Sequence, residues 1–240
     1  MRVAPARRRG LADEVADRIR EAVFGGAYAP GEPLREVELS TALDVSRGPV
    51  REALLRLERE GLVRTAWHRG ATVTTLRPED IAELHTLRGA LEQLAVEHVI
   101  ARASDDEIAA IEHAADRMER AENDHEMARC DIAFHDAVYA AARHRRLHEA
   151  WQAIRSQVHL FLLTRIGVSS EGYLSHLPGE HRQLAAALRA RDVGPALELF
   201  AAHRVHALDV LDGRPVRQGS TENLMTAGRP SSGRQGRSNP

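Results

Sequence analysis

In residues 11–24, Leu11, Val15, Ile19 and Val23 recur at every fourth position, and the run stops at Gly25-Gly26. A step of four keeps side chains on one face of an α-helix, so this segment predicts an amphipathic helix ended by glycine. A shorter pattern follows at 36–43, with Val37, Leu39 and Leu43 apolar, and the link Asp44-Val45 leads directly into a second stripe of Val50, Ala53, Leu54 and Leu57. Ser46 is the expected N-cap of that helix, because its hydroxyl can accept from an amide of the first turn, and Pro49 is tolerated there because those amides have no intrahelical partner. The two helices on a tight link predict a helix-turn-helix, completed to a three-helix bundle by 11–24. Gly61 is the expected C′ residue, and 62–65 and 71–74 read as short strands joined by a tip, 66–70, that carries His68 and Arg69. A basic hairpin beside such a helix is a wing.

The strand pattern ends at 75–78, and Arg77-Pro78-Glu79-Asp80 opens a helix. From there to about residue 211 the periodicity is helical throughout. Ile81, Leu84, Leu87, Leu91, Leu94, Ala95 and Val99 form one stripe, Ser104-Asp105-Asp106-Glu107 is a capping box, and further helices are expected over 126–142, 145–165, 172–189 and 192–211. The fold class expected is mainly α, with an N-terminal winged helix-turn-helix over 1–76 and an all-α helical bundle over 77–212. Residues 213–240, rich in Gly, Pro, Ser, Arg and Asn without periodicity, are expected to be a disordered tail.

Composition changes this picture little. All 33 basic residues are arginine and alanine is abundant, which points to a G and C coding bias, so the arginine total is no nucleic-acid signal by itself. Its distribution says more. Residues 1–76 hold 13 Arg against 11 acids, a formal +2, whereas the remainder holds 20 against 24, a formal −4. Affinity for DNA rests mostly on neutralised phosphates, so the basic end is the expected DNA end. One cysteine, Cys130, cannot form an internal disulfide, and the sequence shows no signal peptide and no run of 18 apolar residues, so a cytoplasmic protein without a membrane partner is expected.

Arg47 and Arg51 lie four apart and share a face opposite the apolar stripe. Arginine is suited to bidentate recognition of guanine and to phosphate anchoring, although any single arginine could equally be a solvated surface residue. The whole pattern resembles the winged helix of GntR-family transcription regulators. The resemblance rests on Leu34-Arg35-Glu36, Ser46-Arg47, Pro49-Val50-Arg51-Glu52-Ala53-Leu54, Leu57-Glu58, Gly61-Leu62-Val63 and Arg69-Gly70 with Val73. It implies DNA contacts at Ser46, Arg47, Gly48, Pro49 and Arg51, and at Arg69 and Gly70 of the wing. Relatives often carry an arginine where this chain has Val37, and Arg35 is the candidate substitute. Arg47 or Arg51 is the expected base reader.

In the helical part, Asp131 and His135 are separated by four on one helix, while His181 and His203 lie about ten residues before and after the turn at 191–195. An antiparallel pair of helices would put those two histidines level, able to converge with Asp131 and His135 on one ion. With 13 histidines in the chain, any one of them taken alone is better read as a surface or capping residue. This region resembles the FadR-like ligand-binding domain of GntR regulators, whose members often hold a divalent metal with Asp-x-x-x-His, His and His. Three imidazoles and a carboxylate suit zinc, nickel or another first-row ion. The resemblance also implies that Arg88 points at the same pocket as an effector-binding group, its plain alternative being an ion pair with Glu92. Arg155 and Arg165 are weaker candidates.

Together these expectations describe a metal-containing regulator that binds a palindromic operator as a homodimer and answers to a small organic acid. Repression is the commoner mode in that family, and activation stays open. The rivals are a constitutive DNA binder with a structural metal, and a metal-dependent hydrolase, for which no additional acid or nucleophile motif stands beside the four ligands.

Overall fold

The computed structural model describes residues 10–66, 70–166 and 173–209, and among these are nine α-helices and one three-stranded sheet. The first unit contains α1 (Leu11–Phe24), β1 (Pro33–Leu34), α2 (Glu36–Ala42), α3 (Arg47–Arg59), β2 (Val63–Ala66) and β3 (Gly70–Val73). The strands run antiparallel in the order β1-β3-β2, with Leu34 opposite Ala71 and Val63 opposite Val73. Val50, Ala53, Leu54 and Leu57 are all buried, packed in one core with Val15, Ile19 and Val23 of α1 and with Leu34, Leu62, Val63 and Val73. Each large apolar side chain so buried contributes on the order of 1.5–3 kcal/mol of transfer free energy.

Local details correct the pattern in four places. Leu11 and Val37 are exposed at 52% and 58%, since each begins a helix at the rim where no facing element covers it. Ser46 stands at the N-cap of α3 with extended dihedrals, but its hydroxyl makes no capping hydrogen bond. β1 is an element that two residues without alternation do not announce. Gly61 takes φ +71°, the left-handed turn expected of a C′ residue.

The second unit is helical: α4 (Pro78–Arg102), α5 (Asp105–Arg117), a 3₁₀ turn at Met118–Arg120, α6 (Asp124–Ala141), α7 (Arg145–Ile166), α8 (Tyr173–Ala190) and α9 (Val193–Asp209). The capping box of α5 forms as expected, with Ser104 Oγ accepting from the Glu107 amide and the Glu107 carboxylate accepting from the Ser104 amide. Trp151, Tyr139, Phe134 and Phe200 fill the centre. Leu87, placed in the α4 stripe by its spacing, is 47% exposed.

The two units meet along α7. Glu60, the C-cap of α3, accepts from Arg20 Nε at 3.0 Å and Nη2 at 2.7 Å, and from Ser156 Oγ of α7 at 3.2 Å. Gly61 lies against Gln157, and Phe24 at the end of α1 stacks on His159. The wing tip at 67–69, including the expected contact Arg69, and the tail at 213–240 lie outside the described residues.

Candidate functional site

The exposed N-terminus of α3 presents Ser46, Arg47 and Gly48 together, with Pro49 half-buried behind them. Its first amides lack intrahelical partners and carry the positive end of the helix dipole, which suits a phosphate. Glu36 of α2 holds both arginines: Arg51 donates from Nε and Nη2 at 3.1 and 2.9 Å, and Arg47 from Nη2 at 3.2 Å. The hydrogen bond from Arg51 above all keeps the Glu36 carboxyl below its ordinary range. Such exposed pairs are weak, so a phosphate or base can displace Glu36. Arg35 is turned to Glu38 of its own helix at 2.8 Å, apart from that pair. Gly70 opens β3 with φ +77° at the foot of the wing.

Across the molecule, Asp131 and His135 of α6, His181 of α8 and His203 of α9 converge, and one donor atom from each lies within 4.8 Å of the others. All four are buried. Asp131 Oδ2 is 3.3 Å from His181 Nε2, and Oδ1 is 3.7 Å from His135 Nε2. The partners behind the rings decide which nitrogen faces the cluster. His181 Nδ1 is 2.9 Å from the Leu177 carbonyl and His203 Nδ1 is 3.0 Å from Glu180, so the protons sit there and the Nε2 lone pairs point inward. Glu180 also takes His206 at 2.6 Å. Burial pushes the pKa of His135 and of His203 down, which favours the neutral imidazole that can bind a metal. Asp131 Oδ1 and His181 Nε2 are buried without a hydrogen-bond partner among the described residues. Orphaned donors of this kind and a set of three nitrogens and one oxygen fit a first-row divalent ion.

Arg88 of α4 makes the ion pair with Glu92 and also reaches the edge of the cluster. Its Nη2 is 2.6 Å from His135 Nε2, at the edge of the cluster, and its Nε donates to Glu92 Oε1 at 2.7 Å. His135 has one lone pair at Nε2, so Arg88 and a metal compete for it. The sequence did not bring Arg204 of α9 into view, although its Nη1 donates to Glu92 Oε2 at 2.7 Å. Burial would raise the Glu92 carboxyl, but the guanidiniums of Arg88 and Arg204 outweigh it and hold the pKa at about 2. Glu180, beside His181 in sequence, was also unremarked. Arg155 is corrected: it is locked bidentately on Asp136, which also accepts from Trp151 Nε1, and takes no part in the cluster. Arg165 is buried with its guanidinium carbon 5.6 Å from the Phe161 ring centre, and burial lowers its pKa to about 10.

Both units resemble known proteins. Residues 11–73 match the model for bacterial regulatory proteins of the gntR family, and residues 83–206, more than half the chain, match the FCD domain. This chain belongs to the GntR family. A probable D-xylose utilization operon transcriptional repressor of Paenarthrobacter nicotinovorans is 30% identical over 188 residues, spanning 76% of this chain and 80% of that one. The HTH-type transcriptional repressor GlaR of Escherichia coli K12 is 26% identical over 202 residues, 80% of this chain and 92% of GlaR. Among solved structures, a GntR transcriptional regulator from Rhodococcus sp. RHA1 superposes with a TM-score of 0.73 at 26% identity, covering 85% of this chain and 99% of the other.

The protein is therefore a DNA-binding transcription regulator with a winged helix-turn-helix followed by a helical FCD domain, and not an enzyme. The hydrolase reading falls with that. Among the described residues no helix is long and apolar enough to cross a membrane.

Proposed function

We propose that this GntR regulator is a repressor that binds a palindromic operator as a homodimer and releases it when a small carboxylate enters a metal-containing pocket of the FCD domain. The observation that carries this reading is the position of Arg88, buried between the Asp131, His135, His181 and His203 cluster and its counter-ion Glu92. A divalent metal there, zinc or nickel by its donors, would supply a cationic centre that favours an acid, and taking His135 Nε2 would free Arg88 to donate to that acid. Repression is supported by the names of two relatives, and dimerisation by the geometry of one recognition helix per half-site. The DNA-binding unit is assigned to 1–76, with Arg35, Ser46, Arg47, Gly48, Pro49, Arg51, Arg69 and Gly70 as its contacts, and the effector and dimerisation unit to 77–212. α7 carries Val158 and Phe161 in the wall of the cavity that Arg88 heads, and Ser156 and His159 against α3 and α1, which would give a signal at Arg88 a route to the DNA-binding unit.

The test is to select DNA bound by the full chain from fragmented genomic DNA and then to measure its affinity by fluorescence anisotropy, with zinc or with chelator, against a panel of organic acids. The reading expects an inverted-repeat fragment, one dimer per site, and weaker binding with some acid only when metal is loaded. By linkage, that acid must bind the DNA-bound form more weakly. DNA affinity indifferent to every acid and to metal would leave a constitutive binder instead.

A further inference from the structure

Two glycines of the winged helix-turn-helix meet side chains of the FCD domain with no room for a Cβ between them. At Gly26, just past the end of α1, φ is +82° and a Cβ would fall 2.5 Å from the ring of His125 in the first turn of α6. At Gly61, just past the end of α3, it would fall 2.8 Å from the Gln157 side chain of α7. A neighbour supports each contact: Phe24 stacks on His159, and Glu60 accepts from Ser156 Oγ. Both α1 and α3 therefore end on the FCD domain. The two helices share one core through Val15, Ile19, Leu54 and Leu57, and Arg20 of α1 is held bidentately by Glu60, so they move as one body. The chain itself supplies a third tie where β3 leads into α4 at Pro78.

We infer that this joint sets the angle at which the recognition helix leaves the FCD domain, and with it the half-site separation that the dimer accepts, His125 and Gln157 being its positioning residues. This rests on the homodimer and operator reading above and adds to it the residues that measure the spacing. One inserted base pair moves a half-site by about 3.4 Å and turns it by about 35° around the duplex, so two recognition helices held at a fixed angle serve one separation. A loose joint would let each winged helix follow its half-site. Because the close fit is made by FCD side chains against glycine backbone, it can be loosened with every residue of the DNA-binding unit unchanged.

Fluorescence anisotropy of the zinc-loaded full chain, without any acid, tests this on the selected operator, on versions with one or two base pairs added or removed between the half-sites, and on a duplex with a single half-site. Wild type should lose about tenfold or more in affinity for one base pair added or removed, because the DNA must then twist or bend to fit. The double variant His125→Ala, Gln157→Ala should lose about threefold or less over the same change, while its affinity for the single half-site stays that of wild type. Both side chains are half-buried on helices, where alanine is well tolerated, and wild type alone carries the first arm. A wild type indifferent to spacing would overturn the inference. So would a variant whose preference stays as sharp as wild type's, or one weakened equally on every duplex, which marks a merely structural role. A selected site with no inverted repeat would instead remove the operator reading, and this inference with it.

Discussion

Phe24, the last residue of α1, stacks on His159 of α7 with ring centroids 3.7 Å apart and planes at 21°. Both side chains are buried, and neither ring nitrogen of His159 has a hydrogen-bond partner among the described residues. The DNA-binding unit thus rests on the FCD domain through an imidazole that must stay neutral.

That requirement has a pH signature. Burial above all, with Arg155 next, lowers the pKa of His159 to about 3, with Asp131 opposing and Arg129 and His125 adding. An unfolded histidine titrates near 6.5, so between roughly pH 6.5 and 3 the unfolded chain binds the extra proton. Stability is therefore fully present above pH 6.5 and is lost as pH falls, by about 2 kcal/mol from pH 7 to pH 5 at 1.36 kcal/mol per unit. Urea unfolding of wild type and His159→Phe at both pH values checks this: the phenylalanine variant keeps the stack and should lose about 2 kcal/mol less on acidification. Equal losses would show that His159 is not the titrating group.

Arg51 is expected to matter for DNA and little for folding. Its side chain is 62% exposed and its partner among the described residues is Glu36, a surface contact. Arg51→Ala should weaken binding to the selected operator about tenfold or more at fixed salt while leaving the denaturation midpoint in place. Because Glu36 holds Arg47 and Arg51 in the free protein, Glu36→Gln should raise affinity for non-operator DNA by removing both the competing carboxylate and a negative charge from the interface. Anisotropy on operator and scrambled duplexes separates the two effects.

The candidate metal site has a support that can be removed without touching any of its four proposed ligands. Glu180 Oε2 stands 3.0 Å from His203 Nδ1 and fixes which nitrogen of that ring faces the cluster. Losing such an outer partner costs metal affinity about 10–100-fold. Glu180→Gln should show that loss in competition with a chromogenic chelator, whereas His181→Ala should leave the chain substoichiometric in elemental analysis. Full zinc content in His181→Ala would break the four-ligand set.

Much of this was legible because helical periodicity is a local property. The stripe Val50, Ala53, Leu54 and Leu57 is buried as its spacing requires, and the i, i+4 step of Asp131 and His135 with the level placement of His181 and His203 brings the four together. What sequence spacing could not carry were contacts between distant turns. Arg204 meets Glu92 across 112 positions, and Ser156 meets Glu60 across 96, and nothing in either neighbourhood marks its partner. Arg155 shows the converse, since an arginine on the same helix as the cavity-lining Val158 and Phe161 found Asp136 instead.

Gly61 lies where the recognition helix passes into the wing and touches the FCD domain, so its substitution probes both. Its φ of +71° is costly for any residue with a Cβ, and a Cβ there would fall 2.8 Å from the Gln157 side chain of α7. Gly61→Ala should lose about 1–2 kcal/mol from the backbone alone, plus the displacement of Gln157. Combining it with Gln157→Ala separates the parts: the double variant should recover the steric share and keep the backbone share, because shortening the neighbour leaves φ untouched. Denaturant midpoints of the four proteins give that cycle. A double variant as stable as Gln157→Ala alone would mean the turn carries no left-handed strain, and the loss would then belong wholly to the contact between recognition helix and α7.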